Sequence, residues 1–164
     1  AADLPWHRVT VTLVDERQVP ETSNRSNARL VREALLRNRA ADASFVPVYG
    51  NPDAAEAVPF DVAILGMGSD GHTASFFPGG DHLAEALDTD TSRRIVEMNA
   101  PGAGESRLTF TLPVLLSAGR LKLHIEGREK KAVLEKALAD GPETAMPVRA
   151  ILRSQTPVTL YWCP

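Results

Sequence analysis

The sequence has a single cysteine, no excess of positive charge and no long apolar run. Cys163 cannot form a disulfide within a chain that has one cysteine, and this favours a reducing compartment. The formal net charge of −3 excludes a global basic field that would attract the protein to nucleic acid or to an anionic membrane. No apolar run could span a bilayer, and the first residues do not form a signal-peptide pattern. We therefore expect a cytoplasmic protein with no nucleic-acid or membrane partner.

The sequence also lacks the signals of two common kinds of catalytic site. It has no G-x-S-x-G segment, so it does not indicate the serine nucleophile that esterases usually carry. Its four histidines are scattered, and none of them shows the H-x-x-x-H or Cys/His spacing of a zinc site. We therefore expect neither a metal nor a cofactor.

Strand and helix patterns alternate along the chain. At 164 residues, of which 43% are hydrophobic, the chain can form one domain over residues 1–164 with a buried core. The apolar run 61–65 (DVAIL) is typical of a central parallel strand, and 121–126 (LKLHIE) alternates like a half-buried strand. The alternation predicts an α/β fold with a mainly parallel sheet flanked by helices. Further strands are predicted at 9–14, 45–49, 94–98, 108–112 and 158–162, and helices after Ser26-Asn27 and over 128–139.

A glycine-rich loop at 66–80 follows the segment DVAIL. Gly66, Gly68 and Gly71 match the G-x-G-x-x-G spacing of a dinucleotide site, but Pro78 interrupts the chain where that site needs a long helix. The glycines instead favour backbone amides that face an anion or a developing oxyanion.

Asp70 and His72 lie two residues apart in the same loop. Histidine is the side chain best suited to accept a proton near neutral pH, which makes His72 a candidate general base. A histidine in a glycine loop is also often a structural hydrogen-bonding residue. The residues by themselves leave both interpretations of His72 open.

Two further segments expected at the carboxyl edge of the sheet carry cations. The loop 15–27 (DERQVPETSNRSN) holds Arg17 between acidic residues and a helix start, and it is either a ligand site or a capped loop with a solvated charge cluster. The segment 127–131 (GREKK) places three cations in the first turn of a helix, where they oppose the helix dipole. A bound phosphate would make that arrangement favourable, because helix N-termini and lysine side chains both attract anions.

Four segments, spread over nearly the whole chain, resemble the motifs of the 6-phosphogluconolactonases in the glucosamine-6-phosphate isomerase/6-phosphogluconolactonase family. They are 15–27 (DERQVPETSNRSN), 66–79 (GMGSDGHTASFFPG), 107–112 (RLTFTL) and 127–130 (GREK). Because all four occur in the family's order, the resemblance is far more specific than any single match.

The resemblance implies a Rossmann-like three-layer sandwich of the ribose-phosphate isomerase/glucosamine-6-phosphate deaminase type. It also implies hydrolysis of 6-phospho-D-glucono-1,5-lactone to 6-phosphogluconate in the oxidative pentose phosphate pathway. By position in the motifs, His72 resembles the general base and Asp70 its essential partner. Arg17 and Lys130 resemble ligands of the substrate phosphate, and Arg107 resembles a motif arginine that contacts phosphate or supports the loop.

The chain departs from the family pattern at its start. Family members normally begin with a strand and a glycine-serine/threonine-proline loop that binds phosphate, whereas this sequence starts with AADLPW just ahead of the segment 9–14. We therefore expect an N-terminally shortened form.

Two rival functions remain at this stage, and the sequence indicates no oligomeric state. A sugar-phosphate isomerase or deaminase of the same fold is expected to carry a D-E-Y motif, where this chain has Asp15-Glu16-Arg17. A non-enzymatic effector domain that senses sugar phosphates is expected to carry a helix-turn-helix, and no segment here resembles one.

Overall fold

A computed structural model describes residues 4–164. Within this range the chain forms eight strands and five α-helices. None of these helices has the length and apolar character that crossing a membrane requires. The strands are β1 (Thr10–Thr12), β2 (Asp15–Arg17), β3 (Ser44–Val46), β4 (Ala63–Leu65), β5 (Ile95–Met98), β6 (Arg107–Phe110), β7 (Leu121–Glu126) and β8 (Val158–Cys163). The helices are α1 (Asn27–Ala34), α2 (Leu83–Leu87), α3 (Leu112–Leu116), α4 (Gly127–Leu138) and α5 (Val148–Leu152).

The strands pair in three groups. β4, β7 and β8 form a parallel sheet in that order, and β1 pairs in parallel with β3. β2, β6 and β5 form an antiparallel sheet with β6 at its centre. The predicted α/β class, with mainly parallel pairing and flanking helices, is confirmed, and the antiparallel sheet is an addition that the sequence did not indicate.

β7 and α4 bring the basic segment 127–131 to the carboxyl edge of the parallel sheet. β7 alternates as predicted, since its odd-numbered residues are buried while His124 and Glu126 are exposed. α4 begins at the next residue, Gly127, whose φ of 84° lies in a region that glycine adopts without strain. The first turn of α4 therefore lies directly above the end of β7.

β2 differs from the sequence-based prediction, which places its residues in a loop. Its three residues pair with β6, and Glu16 is only 1% exposed. The Glu16 carboxylate accepts hydrogen bonds from the backbone N–H groups of Asn27 and Ala28, at 2.9 and 2.7 Å, and from the Ser26 hydroxyl. These donors lie at the N-terminus of α1, where the helix dipole favours a negative charge. A tertiary contact therefore satisfies a buried acid that local composition assigns to solvent.

The parallel strand predicted at 61–65 forms over Ala63–Leu65, but its predicted central position is wrong. Within the described part of the chain, β4 pairs only with β7 and forms an edge of its sheet. Ala63 and Leu65 are buried, but Ile64 is 65% exposed. An apolar run predicts a strand without stating how many neighbours the strand has, so it cannot separate an edge position from a central one.

The glycine loop after β4 is anchored in the hydrophobic core by its second half. Phe76 and Phe77 are buried, at 0% and 3% exposure. Thr73 and Ser75, which precede them in the loop, are fully buried as well. The Thr73 hydroxyl donates to the Gly66 carbonyl at 2.8 Å, and this hydrogen bond closes the segment 66–73. The loop therefore holds the segment around His72 in a defined position instead of leaving it free in solvent.

Candidate active site

A cavity of about 410 Å³ opens where β2, β6, the glycine loop and the first turn of α4 meet. Several residues of the glycine loop line this cavity. Asp70 and Gly71 belong to the same loop but are not lining residues themselves. A second cavity of about 350 Å³, lined by residues 4–7, Arg39 and Asp42, contains none of the motif segments. The first cavity is lined by six of the residues that the sequence nominates for a site: Arg17, Gly66, Gly68, His72, Arg107 and Lys130.

His72 and Asp70 form a hydrogen-bonded pair at the rim of this cavity. Nδ1 of His72 lies 2.6 Å from Oδ1 of Asp70, and the backbone N–H of His72 donates to the same oxygen at 3.0 Å. An ionised carboxylate only accepts, so in the neutral imidazole the proton is on Nδ1 and Nε2 is the acceptor. The ring packs against Phe77 with centroids 4.3 Å apart. The pair can therefore present a basic nitrogen in a fixed orientation.

The environment of Asp70 keeps its carboxylate ionised. Partial burial acts to raise the pKa of Asp70, but the hydrogen bond from the His72 backbone N–H, together with the charge and side chain of His72, lowers it below the ordinary value of 3.8. Asp70 is therefore an acceptor for His72 throughout the neutral pH range.

The glycines of the loop leave space for this pair. A Cβ built on Gly68 would lie 2.1 Å from Nδ1 of His72 and 2.6 Å from Oδ1 of Asp70, so no other residue fits there without moving the pair. Gly71 has a φ of 82°, in the left-handed region that favours glycine. The N–H groups of Gly68 and Gly71 donate to the carbonyls of His72 and Gly68. Those two amides could bind an oxyanion only after these hydrogen bonds open.

Three cations on separate segments face the same cavity. Arg17 donates from Nη1 to the Arg25 carbonyl and to the Asn27 side chain, each at 2.8 Å. Nη2 of Arg107 donates to the Ala103 carbonyl at 2.7 Å, and Nζ of Lys130 donates to the Met67 carbonyl at 2.7 Å. These oxygen partners are neutral, so they orient the cations without cancelling their charge.

The carboxylates nearest to the two arginines are too far away for hydrogen bonds. Arg17 and Glu105 approach to 3.9 Å, and so do Arg107 and Asp15. Within residues 4–164, Nε of Arg17 is buried and has no hydrogen-bond partner. Burial, followed by the charge of Arg17, lowers the pKa of Arg107, and the carboxylates of Asp15 and Glu105 oppose this effect. An anion in the cavity would offset the repulsion between the two arginines.

Asp15 is a cavity residue that the sequence analysis did not nominate. It accepts a hydrogen bond of 2.6 Å from the Ser75 hydroxyl, and burial raises its pKa. Once residues 15–17 are recognised as a strand, the period of two places Asp15 and Arg17 on the cavity face and Glu16 on the other. The signal was therefore present in the sequence, but it becomes visible only when the segment is known to be extended.

Comparisons with known proteins agree with this geometry. Residues 1–162 match the family described as glucosamine-6-phosphate isomerases/6-phosphogluconolactonase. The 6-phosphogluconolactonase of Rhizobium meliloti (strain 1021) is 53% identical over 99% of this chain and 76% of its own length. That of Mesorhizobium japonicum is 48% identical over 100% of this chain and 74% of its own length.

A solved structure shows the same fold. The crystal structure of a 6-phosphogluconolactonase from Shewanella baltica OS155 superposes with a TM-score of 0.92 at 39% identity, over 98% of this chain and 74% of the other. This confirms the fold that the four motif segments implied. The chain belongs to the glucosamine-6-phosphate isomerase/6-phosphogluconolactonase family.

Proposed function

We propose that this protein hydrolyses 6-phospho-D-glucono-1,5-lactone to 6-phosphogluconate in the oxidative pentose phosphate pathway, as a carboxylic ester hydrolase of the cytoplasm. The observation that carries the proposal is the His72–Asp70 pair at the rim of a cavity that also holds three cations. The relatives named above as 6-phosphogluconolactonases support the same activity.

In this proposal His72 is the general base. Asp70 holds Nδ1–H, so Nε2 accepts a proton from a water molecule as the water oxygen attacks the lactone carbonyl. The tetrahedral intermediate collapses by breaking the bond between the carbonyl carbon and the ring oxygen. Nε2 returns its proton to that oxygen, and one water molecule has been added to give the open hydroxy acid. A six-membered lactone is already an activated ester, so no covalent enzyme intermediate is required.

The three cations fix the substrate by its phosphate. Arg17, Arg107 and Lys130 line one cavity, and the oxygens that accept their hydrogen bonds are neutral, while the carboxylates beside the two arginines stay 3.9 Å away. Lys130 lies in the first turn of α4, where a phosphate is also favoured by the helix dipole. Arg107 is held by the Ala103 carbonyl and lies over the Phe77 ring, 5.4 Å from its centroid. Arg107 can thus contact phosphate and at the same time support the loop that carries His72.

The test compares two histidines that each lie beside an aspartate. His72→Ala should reduce turnover of the phosphorylated lactone about 100-fold or more, which is the usual scale for losing a general base. His82→Ala is the matched control, because His82 lies 3.1 Å from Asp81 but outside the cavity, and it should keep parental turnover. Turnover is measured as the formation of 6-phosphogluconate after subtraction of the spontaneous hydrolysis rate.

Three results would count against the proposal. Parental turnover in a folded His72→Ala variant would contradict the assignment of His72 as the general base. Release of ammonia from glucosamine 6-phosphate, without lactone hydrolysis, would favour the deaminase of the same fold. Binding of sugar phosphates without either reaction would favour an effector domain.

A further inference from the structure

Three side chains with metal-binding atoms meet on the exposed face of the parallel sheet, away from the cavity described above. His124 and Glu126 lie two residues apart on β7, and Cys163 lies on β8 directly opposite Glu126 in the strand register. One nitrogen, one oxygen and one sulfur of these side chains all lie within 4.8 Å of one another. Nε2 of His124 is 3.6 Å from Oε1 of Glu126. Among the residues that the structure describes, the cavity lining includes none of the three.

We propose that His124, Glu126 and Cys163 form a binding site for a divalent transition-metal ion of the zinc class. Zinc binds imidazole nitrogen, carboxylate oxygen and thiolate sulfur at about 2.0–2.3 Å, usually with four ligands at the corners of a tetrahedron. Ligand atoms around such an ion are about 3.5 Å apart, so these donors need to approach by roughly 1 Å. All three side chains are exposed, and rotation of the side chains alone can provide that movement. Water completes the fourth position.

The backbone that carries the ligands is regular. β7 and β8 pair over six consecutive residues, so the spacing of the three Cα atoms is set by the strand ladder. The Glu126 carboxylate and the Cys163 thiolate together balance the two charges of the ion, and the thiol proton passes to solvent when the metal binds.

Lys122, the cation on β7, interacts with Tyr161. Lys122 donates from Nζ to the Tyr161 hydroxyl at 2.8 Å, and Nζ lies 4.8 Å from the centre of that ring. A salt bridge from Lys122 therefore does not replace the metal at Glu126.

Bound metal would connect β7 to β8 and would stabilise the folded chain by mass action, because the three ligands are not assembled in the unfolded state. None of the three ligands lines the cavity, so metal binding can be measured separately from lactone hydrolysis. The thermal midpoint should therefore rise with metal concentration, whatever the activity of the protein.

The experiment is a titration of the full chain with Co²⁺ alone. Co²⁺ binds to sites that bind Zn²⁺, and its complexes can be followed by their absorption spectra. Cys163 is the only cysteine in the sequence, so absorption from thiolate to cobalt can arise only from this residue. We expect this absorption to saturate at one Co²⁺ per chain, to disappear when Zn²⁺ is added, and to be absent in Cys163→Ser. His124→Gln and Glu126→Gln should each weaken binding by about tenfold or more, since changes even behind a ligand cost that much.

The matched control is His82→Gln, which removes a histidine beside a carboxylate that has no thiol partner. It should bind Co²⁺ as the parent does. The exposed positions of the three ligands allow each variant to keep the fold, which circular dichroism checks. Absence of thiolate absorption in the parent, or equal affinity in His124→Gln, would overturn the site. Saturation at one Co²⁺ per two chains would also overturn it, because the thiolates of two copies would then share the ion.

Discussion

Nδ1 of His72 and Oδ1 of Asp70 are 2.6 Å apart, and the same carboxylate oxygen also accepts the backbone N–H of His72. One oxygen thus fixes both the ring and the main chain of the histidine. The arrangement leaves Nε2 as the acceptor nitrogen of the neutral ring, and it makes the orientation of the imidazole depend on a carboxylate that lies only two residues away.

Asp70→Asn is expected to lower kcat by up to about 10,000-fold, the loss that follows when the carboxylate beside the catalytic histidine of a serine protease becomes an amide. An amide can present its N–H to Nδ1, which moves the imidazole proton to Nε2 and removes the base. KM should change little, because Asp70 is not one of the cavity cations. Asp81→Asn changes a carboxylate beside an exposed histidine outside the cavity and should keep the parental kcat. Equal losses in the two variants would show that the effect is general destabilisation.

Gly68→Ala is expected to abolish most of the activity while the fold remains. The new Cβ would lie 2.1 Å from Nδ1 of His72, so the ring must leave its position beside Asp70. A displacement of about 1 Å at a reacting group can cost on the order of 100-fold in rate. Gly66→Ala is the comparison within the same loop, because a Cβ there has no atom within 4 Å, and it should cost far less. Steady-state kinetics and the thermal midpoint of both variants test this difference.

Arg17→Ala and Lys130→Ala are expected to raise KM for the phosphorylated lactone by about 10-fold to 100-fold. A hydrogen bond to a charged group contributes about 1.5–3 kcal/mol, which corresponds to that range. Hydrolysis of glucono-1,5-lactone, which has no phosphate, should change little in either variant. Lys131→Ala is the matched control, since Lys131 neighbours Lys130 but stacks on Trp162 at 4.7 Å. A similar loss of activity on both lactones would indicate that Arg17 and Lys130 support the fold instead of binding phosphate.

Asp81 should make the stability of the protein depend on pH in the acid range. Hydrogen bonds from the backbone and side chain of Asn99, aided by His82, lower the pKa of Asp81 to about 2, from an ordinary value of 3.8. Because the folded-state pKa is the lower one, the stabilisation is complete above pH 3.8 and is lost as the pH falls towards 2. The thermal midpoint of the parent should therefore fall over this interval, and Asp81→Asn should reduce that fall.

Asn99→Ala provides the matched variant for this pH dependence. It removes the side-chain donor at 2.9 Å but keeps the backbone donor at 2.8 Å, so it should remove part of the effect. Parallel profiles of midpoint against pH in the parent and in Asp81→Asn would contradict the assignment to Asp81.

Local patterns were sufficient where a structural feature depends on near neighbours along the chain. The alternation of β7, the helical periodicity of α4 and the Ser26 cap of α1 follow from periods and capping rules that act over a few residues. The His72–Asp70 pair is equally local, since two residues in a glycine loop can meet wherever the loop is placed. The family resemblance also rests on segments of this kind.

Only the tertiary structure decided which segments meet. Arg17, Arg107 and Lys130 come from three distant elements, and their common cavity depends on strand pairing that no local period encodes. The same is true of the buried Glu16, the edge position of β4 and the approach of His124 to Cys163, each of which the sequence analysis missed. The physical reason is that periodicity reports which face of an element is apolar, whereas its neighbours are selected by packing and hydrogen bonding across the whole chain.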